Sequence, residues 1–155
     1  RRLQAEVLLD SIDQVTKSQT KFANLPEGTR ALQLPDNSFD TYFLTVFGKP
    51  RAASACECER SDDANLAQAL HLLNSPEVQA KLSAKGGLTE TLAADETRGH
   101  PERVTEVYQT VFARPPSESE MALVVRHMAG AETPQQGYED LMWALVNTKE
   151  FLFNH

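Results

Sequence analysis

The sequence lacks any long apolar run. Its greasiest stretch, Leu141 to Val146, falls far short of the roughly 20 residues that cross a bilayer, so no membrane span is expected and this stretch reads as buried helix. Basic charge is also scarce: 15 Lys and Arg stand against 22 Asp and Glu, a net charge of −7. Nucleic-acid affinity comes mainly from clustered Lys and Arg, and here they are scattered along the chain, which argues against nucleic acid as a partner. Two cysteines and four dispersed histidines give no recognised four-ligand zinc spacing, and two cysteines are too few for a disulfide scaffold. At 155 residues neither is needed, because a single domain of this length buries about 68–70% of its unfolded surface.

No initiating methionine, signal peptide or transit peptide is present. Arg1-Arg2 reads like a twin-arginine opening, yet an amphipathic helix follows it rather than an apolar segment. The expectation is a piece of a longer polypeptide whose address lies upstream.

Catalytic signatures are missing too. There is no GxSxG, no Walker lysine loop and no HExxH, so the sequence names no reaction, and whether the chain is an enzyme stays open. Without CxxCH this stretch holds no c-type haem covalently. His71, His100, His127 and His155 share no ligand spacing, so no metal centre is expected. His71 and His127 sit on helix flanks, and His100 lies in a turn between Gly99 and Pro101. The acid pairs Asp62-Asp63, Glu118 with Glu120 and Glu139-Asp140 read as helix N-terminal charges that complement the helix dipole.

What is present is helical periodicity. Residues 3–16 place Ala5, Leu8, Leu9, Ile12 and Val15 on one face. Pro26, Gly28 and Pro35 interrupt the next stretch, whose residues 30–34 are read as coil lying on the helices. A second helix, capped by Asn37 or Ser38, carries Phe39, Tyr42, Phe43, Val46 and Phe47 at i, i+3, i+4, i+7 and i+8, and stops at Gly48 and Pro50. Asp62 or Asp63 caps a helix with Leu66, Ala69, Leu70 and Leu73 inward. Ser75-Pro76-Glu77 restarts a helix through an N-cap followed by proline at the first helical position, and Gly86-Gly87 ends it.

Residues 88–100 are polar and weakly patterned. The stripe returns at 102–113 with Val104, Val107, Tyr108, Val111 and Phe112, and Arg114-Pro115-Pro116 breaks it. Ser117-x-x-Glu120 is a capping box for a helix striped by Met121, Val124, Val125 and Met128. A final helix over about 135–153 is apolar nearly all round, which places it at the centre of the bundle with Trp143 buried. The fold class expected is all-α: an irregular single-domain bundle of about six or seven helices without a substantial sheet.

The most unusual short run is Cys56-Glu57-Cys58-Glu59-Arg60. Two thiols separated by one residue can close a small strained disulfide, and strained bridges are readily reduced. The alternatives, after that bridge, are plain loop thiols or thiols paired with cysteines elsewhere in a parent chain, and last a pair of soft metal ligands. Glu57, Glu59 and Arg60 are candidates to support a site there, or to hold the loop by an ion pair.

The order of motifs carries more than any one of them. Arg1-Arg2-Leu3-x-Ala5-Glu6 opens the chain, followed by Arg30-Ala31-x-Gln33-Leu34-Pro35 and Phe43-Leu44-x-x-Phe47-Gly48-x-Pro50. The Cys56-x-Cys58-Glu59-Arg60 loop comes next, then Leu66-Ala67-Gln68-Ala69-Leu70-x-Leu72-Leu73-Asn74. Phe112-x-Arg114-Pro115-Pro116 precedes Leu141-x-Trp143-Ala144-Leu145-x-Asn147-x-x-Glu150-Phe151-x-x-Asn154-His155. This set resembles the planctomycete-specific PSD domain, a family of unknown function. The resemblance spans nearly the whole chain apart from the polar segment around 84–100.

The resemblance implies a setting and assigns no catalytic residue. It implies an exported parent, periplasmic or at the cell surface, with haem c in planctomycete-type cytochrome C domains upstream and this stretch at the C-terminal end. The partners expected are those upstream domains of the same chain, with no cofactor in this stretch itself. Disulfides persist in an exported, oxidising setting, which favours a Cys56–Cys58 bridge. The functional expectation is an accessory helical binding or structural module. The rivals are a thiol-based redox or metal site at Cys56 and Cys58, and a part of an active site completed by upstream domains.

Overall fold

Helix α1 (Ala5–Thr16) forms where the sequence sets its first apolar stripe, and Ala5, Leu8, Leu9, Ile12 and Val15 are all buried. It stops at Lys17, which takes the left-handed conformation (φ 54°), and the N–H of Ser18 donates back to the Asp13 carbonyl at 3.0 Å. A computed structural model describes residues 3–35, 41–47 and 74–153. Among them the architecture is all-α. Beyond α1 the helices are α2 (Tyr42–Val46), α3 (Pro76–Leu82), α4 (Leu88–Ala94), α5 (His100–Phe112), α6 (Glu118–Gly130), α7 (Pro134–Val146) and α8 (Lys149–Leu152). No sheet forms among the described residues, and none of their helices is long and apolar enough to cross a membrane.

The core is one apolar cluster with α7 at its centre. This helix packs against α3, α4, α5, α6 and α8, and buries Tyr138 and Met142 completely. Helix α1 lies across α2, α3 and α4. The ends of the described chain meet where the N–H of Leu3 donates to the Leu152 carbonyl at 3.0 Å.

Local capping follows the sequence. Ser75 Oγ accepts from the N–H of Glu77 at 3.2 Å, ahead of Pro76. Ser117 and Glu120 close their box reciprocally: Ser117 Oγ accepts from the N–H of Glu120 at 3.3 Å, and Glu120 Oε2 accepts from the N–H of Ser117 at 2.6 Å.

The structure corrects several details. The final helix breaks after Val146, because Thr148 acts as a fresh N-cap whose Oγ1 accepts from the N–H of Phe151 at 3.2 Å. Trp143 is only partly buried, on the rim of α7. Helix α2 is capped by Thr41, and Tyr42, placed on its apolar stripe, is 71% exposed, while Phe43 and Phe47 stack inward with ring centroids 4.4 Å apart. The polar segment after residue 87 holds α4, too short for a full stripe but anchored by Leu88, Leu92 and a Thr89 Oγ1 bond to the Leu82 carbonyl at 2.5 Å. His100 begins α5 rather than sitting in a turn, with Gly99 as the N-cap. Residues 31–33, read as coil, form a 3₁₀ turn because the Asp10 carboxylate accepts from the N–H groups of Ala31 and Leu32 at 2.6 and 3.2 Å. The helix expected over 62–73 lies outside the described residues.

Candidate functional site

Asp13 sits on the flank of α1, one turn before the helix ends. The left-handed turn at Lys17 folds the chain back so that Ser18 and Thr20 reach its carboxylate. Ser18 Oγ donates to Oδ1 at 3.1 Å, and the N–H and hydroxyl of Thr20 donate to Oδ2 at 2.8 and 2.7 Å. From α3, the ammonium of Lys81 donates to Asp13 Oδ1 and to Thr20 Oγ1, the latter at 2.7 Å. The side chains of Lys81 and Asp13 are 8% and 16% exposed. A buried ion pair is tolerable when further hydrogen bonds occupy its lone pairs and protons, and Asp13 has four donors.

This cluster is the floor of an open groove of about 810 Å³ between the end of α1 and α3. Gln14, Lys17, Gln19 and Lys21 line one side, and Glu77, Ala80, Ala84 and Lys85 the other. A smaller recess of about 350 Å³ shares Asp13, Ser18 and Thr20 and reaches Gly28 and Arg30. The chain has six lysines, and Lys17, Lys21, Lys81 and Lys85 all line the large groove. The basic residues that read as scattered in sequence are therefore gathered in part. Lys21 pairs with Glu27 at 2.9 Å in solvent, whereas Lys17 and Lys85 make no ion pair among the described residues. Burial pushes the Glu77 carboxyl above the ordinary carboxylate range, against the opposing pull of Lys81.

Other polar clusters serve the fold. The guanidinium of Arg114 donates to both oxygens of Glu120 at 2.9 and 3.0 Å and lies 5.3 Å from the Phe112 ring centroid. Arg103 donates to the Leu92 carbonyl at 2.8 Å and lies over the Tyr138 ring, whose hydroxyl meets His100 Nδ1 at 3.1 Å. His127 and Asp140, 3.1 Å apart, border an apolar recess of about 440 Å³ beside Leu123 and Trp143. Among the described residues, no group of three or more His, Cys, Asp or Glu side chains is placed to hold a metal.

Cys56, Glu57, Cys58, Glu59 and Arg60 lie outside the described residues, as do His71 and His155. The lysine groove carried one readable trace: Lys17/Lys21 and Lys81/Lys85 are each four residues apart. Their convergence was not readable, because 60 residues separate the two pairs.

A protein-family model matches this chain. The model of the family described as PSD1, protein of unknown function (DUF1553), matches residues 1–128, and the chain belongs to that family. No curated protein and no solved structure matches it.

Proposed function

We propose that this member of the PSD1 family is a helical accessory module that works by docking, with the lysine-lined groove as its contact surface and the upstream domains of its own parent chain as the partner. One observation carries this reading. Four of the six lysines of a chain with net charge −7 meet on one groove, and two of them, Lys17 and Lys85, have their charge available. The floor beneath them is cross-linked by Asp13, Lys81, Ser18 and Thr20. A surface held in place before its partner arrives loses less ordering entropy on binding. An exported, cytochrome-linked parent is supported by the family alone, and a Cys56–Cys58 bridge by the oxidising setting such a parent occupies.

The test is association in trans. The 155-residue chain and the remainder of its parent, expressed separately, are mixed in a calorimeter. Association is expected, weakened by Lys17→Glu together with Lys85→Glu and by raised salt, since exposed charges are screened over about 8–10 Å near physiological ionic strength. Absence of association, or association indifferent to both lysines, sinks the reading.

A further inference from the structure

We infer that the lysine-lined groove takes an acidic peptide segment, with Asp and Glu side chains against Lys17, Lys21 and Lys85 and the peptide backbone against Gln14 and Gln19. The inference rests on the docking reading above and names the chemistry of the bound surface.

Charge is the first argument. The groove presents four ammonium groups against two carboxylates, Asp13 and Glu77. Asp13 is neutralised by Lys81, while Glu77, whose carboxyl is pushed upward by burial, is only drawn by the field of the same lysine. With Lys21 shared with Glu27, Lys17 and Lys85 chiefly set the field a ligand meets, on a chain whose net charge elsewhere repels anions.

The kind of cation comes second. Among the described residues that line it, the large groove has lysines and no arginine. Arginine's planar fork suits phosphate bidentately, whereas lysine is a compact point charge on a flexible stem. Separate lysines on both walls match separate carboxylates along a chain better than one compact polyanionic group.

The rest of the lining narrows the class. Gln14 and Gln19 each offer an amide donor and a carbonyl acceptor, the pair of groups that a peptide backbone presents in return. Among the described residues the only apolar side chains lining it are Ala80 and Ala84, too small to grip the greasy face of an amphipathic helix. None of the described lining residues offers an aromatic ring on which a sugar ring could stack. A volume of about 810 Å³ suits a segment of several residues rather than a folded surface.

The test uses the full 155-residue chain and a fluorescein-labelled hexaglutamate peptide, followed by anisotropy. Dextran sulfate and inorganic phosphate serve as competing arms. The expected result is saturable peptide binding that weakens with added salt, falls at least tenfold in Lys17→Glu/Lys85→Glu and falls less in Lys17→Gln/Lys85→Gln. Lys149→Glu, on α8 and outside the groove, is expected to leave it unchanged, and circular dichroism confirms that each variant is folded. Equal loss in Lys149→Glu would overturn the site. If dextran sulfate or phosphate binds through Lys17 and Lys85 while the peptide does not, the peptide assignment falls but docking stands. If the parent's remaining domains bind through the groove and the peptide does not, the ligand class alone is wrong. No binding in either experiment removes both readings.

Discussion

Arg114 and Glu150, 36 residues apart, close a two-bond clamp: Arg114 Nε and Nη2 donate to the two oxygens of Glu150 at 2.7 and 2.8 Å. The same guanidinium holds Glu120 with its remaining donors, so one side chain ties the end of α5 to the starts of α6 and α8. Only a planar fork can serve two carboxylates in this way. Arg114→Lys is therefore expected to lower the melting temperature although charge is conserved, and to leave it less sensitive to salt than the parent protein. A melting curve for Arg114→Lys that overlays the parent's in low salt would show the clamp to be idle.

The clamp has an acid signature. Its hydrogen bond from Arg114, aided by the N–H of Ser117, holds the Glu120 carboxyl down at about 2, against 4.5 ordinarily. Between those values the unfolded chain binds more protons than the folded one, so stability rises with pH there. The contribution is complete above about pH 4.5 and disappears as pH falls toward 2. Glu120→Gln is expected to flatten the dependence of stability on pH within this window and leave it unaltered above. Urea titrations at pH 3, 4, 5 and 6 decide it, and parallel curves for the two proteins would contradict the assignment.

Asp13 and Lys81 should be strongly coupled. Removing one member of a buried pair leaves the other uncompensated at a cost of about 3–5 kcal/mol, and for this partly buried pair about 1–3 kcal/mol is expected. Asp13→Leu should cost more than Lys81→Met, because it also releases Ser18 and Thr20. The double variant should recover part of the loss. If the two single costs instead add to within about 0.5 kcal/mol, the residues are not interacting.

Two backbone positions should respond in opposite directions to the same pair of residues. A Cβ at Gly87 would stand 2.7 Å from the Ala84 carbonyl oxygen and 3.0 Å from that of Thr16, and neither backbone atom can swing away. Gly87→Ala is expected to destabilise by about 1–3 kcal/mol, the range for overpacking. Ala113 ends α5 in the left-handed conformation (φ 56°), where a Cβ costs about 1–2 kcal/mol. Ala113→Gly removes that strain but loosens the unfolded chain, for a net gain of roughly 0.5–1 kcal/mol. Chemical denaturation of both variants measures it, and a destabilised Ala113→Gly would refute the strain argument.

Under the exported setting proposed for the parent, which would preserve disulfides, Cys56 and Cys58 are expected to be bonded to each other. Titration of non-reduced protein should find no free sulfhydryl until a reductant is added. Reduction should change the melting temperature little, because the entropic effect of a cross-link grows with the length of its loop and this loop is minimal. Two titratable thiols in non-reduced protein would eliminate the bridge.

Much of the helical framework was legible in the sequence. Ser75 and Ser117 cap the helices they precede, and the apolar belt around Tyr138, Leu141 and Met142 marked α7 as central. These signals are local, each confined to a turn or two of chain. Where reading failed, two local signals competed. At Thr148 a good cap outweighed continuing apolar residues and split the last helix. At Tyr42 the stripe pattern allowed burial, but the helix is short and its neighbours left that flank in water. Helix α4 was hidden because seven residues hold too few apolar positions to show a period.

The sequence by itself determined most of the stretches that become helix, because hydrogen bonds and caps within a helix reach only three or four residues along the chain. It also determined that the fold is all-α, through the 3.6-residue spacing of its apolar side chains. Only the tertiary structure decided that Lys81 lies over Asp13, 68 residues away, that Arg114 reaches Glu150, and that four lysines border one groove. Such meetings depend on which helix faces pack together and at what rotation. Those are settled by the joint burial of stripes from α1, α3 and α7 in a single core, a property of the assembled chain that no local run of residues contains.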